Sequence, residues 1–195
     1  MLYRNIGCYV FSRAKLDDFR LEDNLNSVTA QALRILRENG AADIKGCGNE
    51  LGEILVYTFL EDMLGAPKLM SRVELSTELS QFGSESESIH LFTPWIERRC
   101  QMVFGASNVV GEIKDAIDRS FETILRIEQH EASEIKMVEK TILDRTFDPD
   151  EIELIKDIIL SSPGKTPSYN TTYGVSLDTL SVCLLRDAHQ KSTRA

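Results

Sequence analysis

The stretch "CQMVFGASNVVGEIKDAIDRSFETI", Cys100–Ile124, decides the fold. Cys100–Gly105 is a short apolar run of the kind that forms a strand. From Val110 the period changes. Val110, Ile113, Ile117, Phe121 and Ile124 fall on one helical stripe, with Asp115, Asp118, Arg119 and Glu122 outside it. Between strand and helix stands the step Ala106-Ser107-Asn108. Such a step before a helix offers backbone N–H groups to an anion. It lacks the lysine and glycine pattern of a phosphate-binding loop, so that signal is weak.

Working outward, "SIHLFTPW" (Ser88–Trp95) reads as a neighbouring strand joined to the first by the charged turn "IERR". Alternation puts Ser88, His90 and Phe92 on one face, and Glu87, Ile89 and Leu91 on the other. "LMSRVELSTEL" (Leu69–Leu79) alternates as a third strand, followed by the polar connection "QFGSESES". "ELGEILVYTFLEDML" (Glu50–Leu64) is apolar around most of its circumference, which predicts a largely buried helix stopped by Gly65-Ala66-Pro67. Glu50, Glu53, Tyr57 and Glu61 share its remaining face. That face is either a solvated edge or the means by which Glu53 reaches a pocket.

"LNSVTAQALRILREN" (Leu25–Asn39) predicts a helix capped by Gly40, and "GCYVFS" (Gly7–Ser12) an early short strand. Toward the other end, a second helix is expected near Ile135–Leu143 and a third over Phe147–Ser162, where Asp148 and Pro149 mark the start. "TYGVSLDTLSVCLL" (Thr172–Leu185) returns to strand character. This order predicts an α/β (α+β) fold with a mixed, mostly antiparallel central sheet flanked by helices. One domain over residues 1–185, with its core at 48–185, would be followed by a polar tail at 186–195.

Composition narrows the function. The 195 residues fit one domain, and 42% hydrophobic content supplies an ordinary core. A net charge of −9 repels phosphate backbones, which counts against unaided, tight nucleic-acid binding. Cys8, Cys47, Cys100 and Cys183 are scattered without a C-x-x-C pair, so no zinc site is visible. The start lacks the apolar core of a signal peptide, and no run approaches the roughly 18 apolar residues of a membrane span. A cytoplasmic protein with reduced thiols is expected.

Hydrolysis of a phosphodiester calls for oxygen ligands to Mg²⁺ or Mn²⁺, usually two carboxylates, and an acid-x-lysine pair on one strand supplies acid and cation on the same face. Glu112-Ile113-Lys114 has that spelling but lies in the helical stripe, where residues two apart point roughly 200° apart. It reads as a solvated helical face. His90 reads as hydrogen-bonded structure before it reads as a ligand, although a small-molecule hydrolase using His90 and one carboxylate is a further alternative. Cys47 has no sequence-adjacent base to activate its thiol.

Three segments in order, "GNELGEILVYTFLEDMLGAPKLMSRVEL", "SESIHLF" and "MVFGASNVVGEIKDAIDRSFETI", with a weaker "YGVSL", resemble the HamA-like family, the nuclease component of the Hachiman anti-phage defence system. The resemblance covers roughly 48–127 and the late strand. It implies a restriction-endonuclease-like fold of the PD-(D/E)xK kind, with Mg²⁺ or Mn²⁺ as cofactor. It also implies a DNA-cleaving effector that reaches DNA through a helicase partner. The family's Gly-Glu falls on Gly52-Glu53, its acid before a Val/Ile-His pair on Glu87, and its Glu-x-Lys on Ala106-Ser107-Asn108. Glu53 and Glu87 are thereby the implied metal ligands, and Glu53, Glu87 and Asn108 the implied catalytic set. Ala106 cannot bind metal and Asn108 carries no charge. Losing electrostatic stabilisers of this kind costs factors of hundreds to thousands in rate. A weak or inactive nuclease-like subunit is therefore expected, with a non-catalytic binding or scaffold module, or a homo-oligomer, as the competing reading.

Overall fold

The computed structural model describes residues 2–39, 49–74, 84–93, 100–109, 111–141, 155, 169–177 and 180–185. Cys47, the turn at 96–99, the tail at 186–195 and the helix expected at 147–162 lie outside the described residues, except Ile155, which is buried.

Among the described residues, five strands form one sheet in the order β1 (Lys68–Ser71), β2 (Ser88–Phe92), β3 (Cys100–Asn108), β4 (Tyr169–Leu177) and β5 (Leu180–Leu185). β3 and β4 are parallel and the other three neighbouring pairs antiparallel, the mixed, mostly antiparallel sheet expected. A parallel pair needs a crossover, and the long helix α5 (Ile113–Thr141) lies within it. Its Ile124, Ile127 and Val138 pack with Met102, Phe104 and Ala106 of β3 and with Ile89 of β2. Helix α4 (Asn49–Thr58) covers the other face, where Val56 meets Val103. Alternation along β3 sorts the layers: Met102, Phe104 and Ala106 face α5, while Val103, Gly105 and Ser107 face α4. Helices on both faces of a mixed sheet make the α/β arrangement expected.

A helical layer caps α4 from outside. It consists of α1 (Leu2–Val10), α2 (Arg13–Leu21) and α3 (Leu25–Asn39). Tyr9, Val10, Phe19, Val28, Ala32 and Leu36 join Ile54 and Tyr57 of α4 in a second core. The strand expected at Gly7–Ser12 is thus the end of α1 and the Ser12 cap of α2, whose hydroxyl accepts from the Lys15 N–H. Ile6, Tyr9 and Val10 share a helical face, and Gly7 lets α3 come close: a Cβ there would lie 2.6 Å from Val28 Cγ1. Packing on α3 and α4 overrides the strand preference of "GCYVF".

The C-terminal end of α1 is pinned to β1. Lys68 Nζ donates to the carbonyls of Cys8 at 2.8 Å and of Tyr9 and Phe11 at 3.0 Å, and pairs with Glu74 at 3.2 Å. Ser71 Oγ donates to the Tyr9 carbonyl at 2.8 Å. Helix-end carbonyls have no partner within the helix, so a buried cation there satisfies both hydrogen bonding and dipole.

Three further expectations are corrected. The strand expected over Leu69–Leu79 stops at Ser71, and Arg72–Glu74 form a helical turn instead. The two helices expected near 110–124 and 135–143 are one helix of 29 residues. Its buried stripe is Ala116, Ser120, Ile124, Ile127, Glu134 and Val138, whereas Ile113, Ile117, Phe121 and Leu125 form an exposed apolar row. Small Ala116 and Ser120 suit the side nearest the sheet better than the larger residues beside them. Finally, the strand expected at Thr172–Leu185 is the hairpin β4–β5, with Leu177 opposite Leu180.

Candidate functional site

The site grows from one close approach. Gly52 brings α4 against β3 so tightly that a Cβ there would lie 2.5 Å from Ser107 Oγ and 2.9 Å from Ser107 Cβ. The next residue, Glu53, is thereby held over the sheet and is completely buried. The open question about the face of Glu50, Glu53, Tyr57 and Glu61 is settled: Glu53 and Tyr57 point into the protein, and Glu50 and Glu61 are half-buried.

Both Glu53 carboxylate oxygens are engaged. Tyr9 of α1 donates its hydroxyl to Oε2 at 2.5 Å, and the Arg72 guanidinium forms an ion pair with Oε1. Burial drives the Tyr9 phenol far above its usual range, so it stays a donor. The Arg72 side chain is 23% exposed while that of Glu53 is 0% exposed, so the guanidinium closes the cluster on its solvent side.

Glu87 enters just before β2. Its N–H donates to the Gly105 carbonyl at 2.9 Å, and its own carbonyl accepts from the Arg72 N–H at 2.8 Å. Ser107 Oγ donates to Glu87 Oε1 at 2.9 Å. Glu87 Oε2 is buried and has no hydrogen-bond partner among the described residues. Burial pushes the Glu87 carboxyl up to about 7, against the lowering influence of Arg72 and Ser107. The loop before it is held by Glu134 of α5, a buried carboxylate that accepts from Ser84 Oγ, Ser86 Oγ and the Glu85 N–H.

Glu53 and Glu87 are therefore gathered in one cluster through Tyr9, Arg72 and Ser107. Asn108 is not. It follows Ser107 in an unbroken pairing with β4, so it falls on the Ala106 face, toward α5. The residues of β3 that look toward the two glutamates are Gly105 and Ser107, and neither is an acid or a lysine. Glu112 lies just before α5, Ile113 and Lys114 begin it, and all three are exposed.

His90 is structural. Its Nδ1 donates to the Ala66 carbonyl at 2.8 Å, which leaves Nε2 to accept from Ser88 Oγ at 3.1 Å. Both residues are completely buried, so the hydrolase built on His90 has no access to substrate. Burial lowers the His90 imidazole to about 3, with the Ala66 hydrogen bond opposing the shift.

These two groups oppose one another in pH dependence. The His90 contribution to stability is complete above its unfolded value of 6.5 and is lost as pH falls toward 3. The Glu87 contribution is complete below 4.5 and is lost as pH rises toward 7. Between 6.5 and 4.5 the two largely cancel. In Glu87→Gln the His90 loss stands alone, and urea midpoints should fall across that window by the equivalent of about 3 kcal/mol relative to the wild type. Parallel pH profiles for the two proteins would refute the assignment.

A divalent cation of the Mg²⁺ kind takes about six oxygen ligands. Here Glu53 is already closed by Tyr9 and Arg72, one Glu87 oxygen is bound by Ser107, and a guanidinium supplies the positive charge. No group of three or more His, Cys, Asp or Glu side chains suited to a metal occurs among the described residues. The set as folded does not fit a divalent cation. Sequence reasoning missed Tyr9 because it lay in a supposed strand. It missed Arg72 because that residue was assigned to the alternating face of a strand that ends one position earlier.

The fold is an α/β domain with two buried glutamates, Glu53 and Glu87, where α4 meets the sheet. The family model for HamA matches residues 1–178, and the chain belongs to the HamA family. That span takes in α1 to α3 and the Tyr9 that closes the site. No curated protein and no solved structure matches the chain. Family membership associates the chain with Hachiman anti-phage defence. Among the described residues, no helix is long and apolar enough to cross a membrane.

Proposed function

We propose that this chain is a nuclease-fold subunit of a Hachiman-type defence assembly whose own phosphodiesterase centre is attenuated. In this reading it works in the cytoplasm and meets DNA through a helicase partner. One observation carries it: beside Glu53 and Glu87, β3 presents Gly105 and Ser107 where acid and lysine would be needed. The net charge of −9 agrees, since such a surface borrows DNA affinity from a partner.

Nicking of supercoiled plasmid by the chain alone, with Mg²⁺ or Mn²⁺, should stay at background. Metal-dependent nicking that disappears in Glu87→Gln would overturn the proposal. A second reading keeps the fold as a non-catalytic protein-binding module. The exposed row Ile113, Ile117, Phe121 and Leu125 favours it, because apolar surface of this kind marks interaction sites.

A further inference from the structure

We propose that Arg72 is a resident counter-ion: beside Glu53 and Glu87 its guanidinium supplies the positive charge a divalent cation would bring, and removing it opens a two-carboxylate cation site. This rests on the same centre as the proposed function but concerns what fills it, not what it cleaves.

Three observations converge. First, the guanidinium forms an ion pair with the completely buried Glu53, and the Arg72 N–H donates to the Glu87 carbonyl at 2.8 Å. One cation therefore stands beside both acids. Second, Glu87 Oε2 is buried and aimed at no donor among the described residues. Neutralisation of this centre is thus incomplete, and an oxygen ligand stands ready. Third, neutral oxygens complete the lining: the Tyr9 hydroxyl on Glu53 and the Ser107 hydroxyl on Glu87. Without Arg72, two buried carboxylates and two hydroxyls would surround a space reached from the side the guanidinium now covers. Buried anions left without a counter-charge are costly, so that arrangement selects for a hard, oxygen-binding cation.

The alternative is that Arg72 and a metal coexist. A guanidinium already on Glu53 repels a second positive charge at the same carboxylate, which argues against it.

The test uses the full chain, freed of metal, with Mn²⁺ as probe and no DNA present. Loss of the free Mn²⁺ resonance and thermal unfolding are measured for wild type, Arg72→Ala, Arg72→Gln and Arg72→Ala/Glu87→Gln. Wild type should show no saturable Mn²⁺ binding and no stabilisation. Arg72→Ala and Arg72→Gln should bind one Mn²⁺ per chain, about a hundredfold or more tighter than wild type, and unfold at higher temperature with Mn²⁺ present. The double variant should lose that response.

A variant at Arg72 that folds only when Mn²⁺ is added counts for the proposal. Variants that stay unfolded with and without Mn²⁺, or fold but ignore it, count against it. Wild-type binding that Glu87→Gln abolishes would also overturn it. Nicking is scored separately on DNA, so failure of the attenuated-nuclease reading and failure of the counter-ion assignment give different results.

Discussion

Lys68→Met should lower the stability of the protein by about 3–5 kcal/mol, the range for breaking a buried ion pair from one side. Lys68 is 3% exposed and satisfies three carbonyls at the end of α1 as well as Glu74. Methionine fills a similar volume, so the loss isolates the ammonium group. The carbonyls of Cys8 and Phe11 lose their Lys68 donor, that of Tyr9 keeps Ser71, and Glu74 loses the Lys68 charge. Urea unfolding of Lys68→Met, Glu74→Gln and the double variant forms the appropriate cycle. The double variant should be more stable than Lys68→Met, because it no longer buries a carboxylate without this cation. If Lys68→Met costs less than about 1 kcal/mol, as an exposed ion pair would, the anchoring role is wrong.

Gly52→Ala should be nearly as damaging, although alanine is the better helix former by about 1 kcal/mol. The added methyl would meet Ser107 Oγ at 2.5 Å and Ser107 Cβ at 2.9 Å, with Val109 Cγ1 at 3.2 Å. The hydroxyl can rotate away only by leaving Glu87, which would strip that carboxylate of its side-chain donor. The Cβ cannot rotate at all, so α4 must move off the sheet. Overpacking and a lost buried hydrogen bond together come to about 2–5 kcal/mol. Moving the bulk back, as Gly52→Ala/Ser107→Gly, should recover the packing share and leave the hydrogen-bond share lost. A double variant no more stable than Gly52→Ala would mean that the contact at 52 and 107 does not set the helix height. Thermal and urea unfolding read both outcomes.

The architecture was legible wherever one element buries one face in a simple period. Helix Leu25–Asn39, the buried helix from residue 50 and the two central strands followed from spacing, and so did the mixed sheet between helices. The first ten residues were not, since "GCYVF" has strand composition and becomes helical through contacts with α3 and α4. α5 misled in a different way. The strongest apolar stripe in its first half is the exposed one, and the inward face uses Ala116 and Ser120, which carry little hydrophobic signal.

At the candidate site, spacing and resemblance pointed to Glu53 and Glu87, which the fold brings into one cluster, but not to the residues around them. A strand places every second residue toward a pocket, so the identity of the facing pair depends on a register that sequence spacing leaves open by one residue. Asn108 was placed on the wrong side for that reason, and Ser107 is the neighbour that touches Glu87. Tyr9 and Arg72 reach Glu53 across 44 and 19 positions of chain. No local pattern announces a contact at such separations.

The parallel pair at the middle of the sheet also governs how the chain emerges from the ribosome. Every residue of β4 lies 69 positions beyond its partner in β3, as Tyr169 does beyond Cys100. At about 5–20 residues per second, β3 waits roughly 3–14 s for its neighbour. Throughout that interval the strand carrying Gly105 and Ser107 is the open border of a three-stranded nascent sheet, able to pair with any other strand. The N-terminal helices and the whole Glu53 cluster, by contrast, have all their parts by residue 107. The centre can close while the sheet behind it is still half built, and synthesis speed across α5 becomes a determinant of yield.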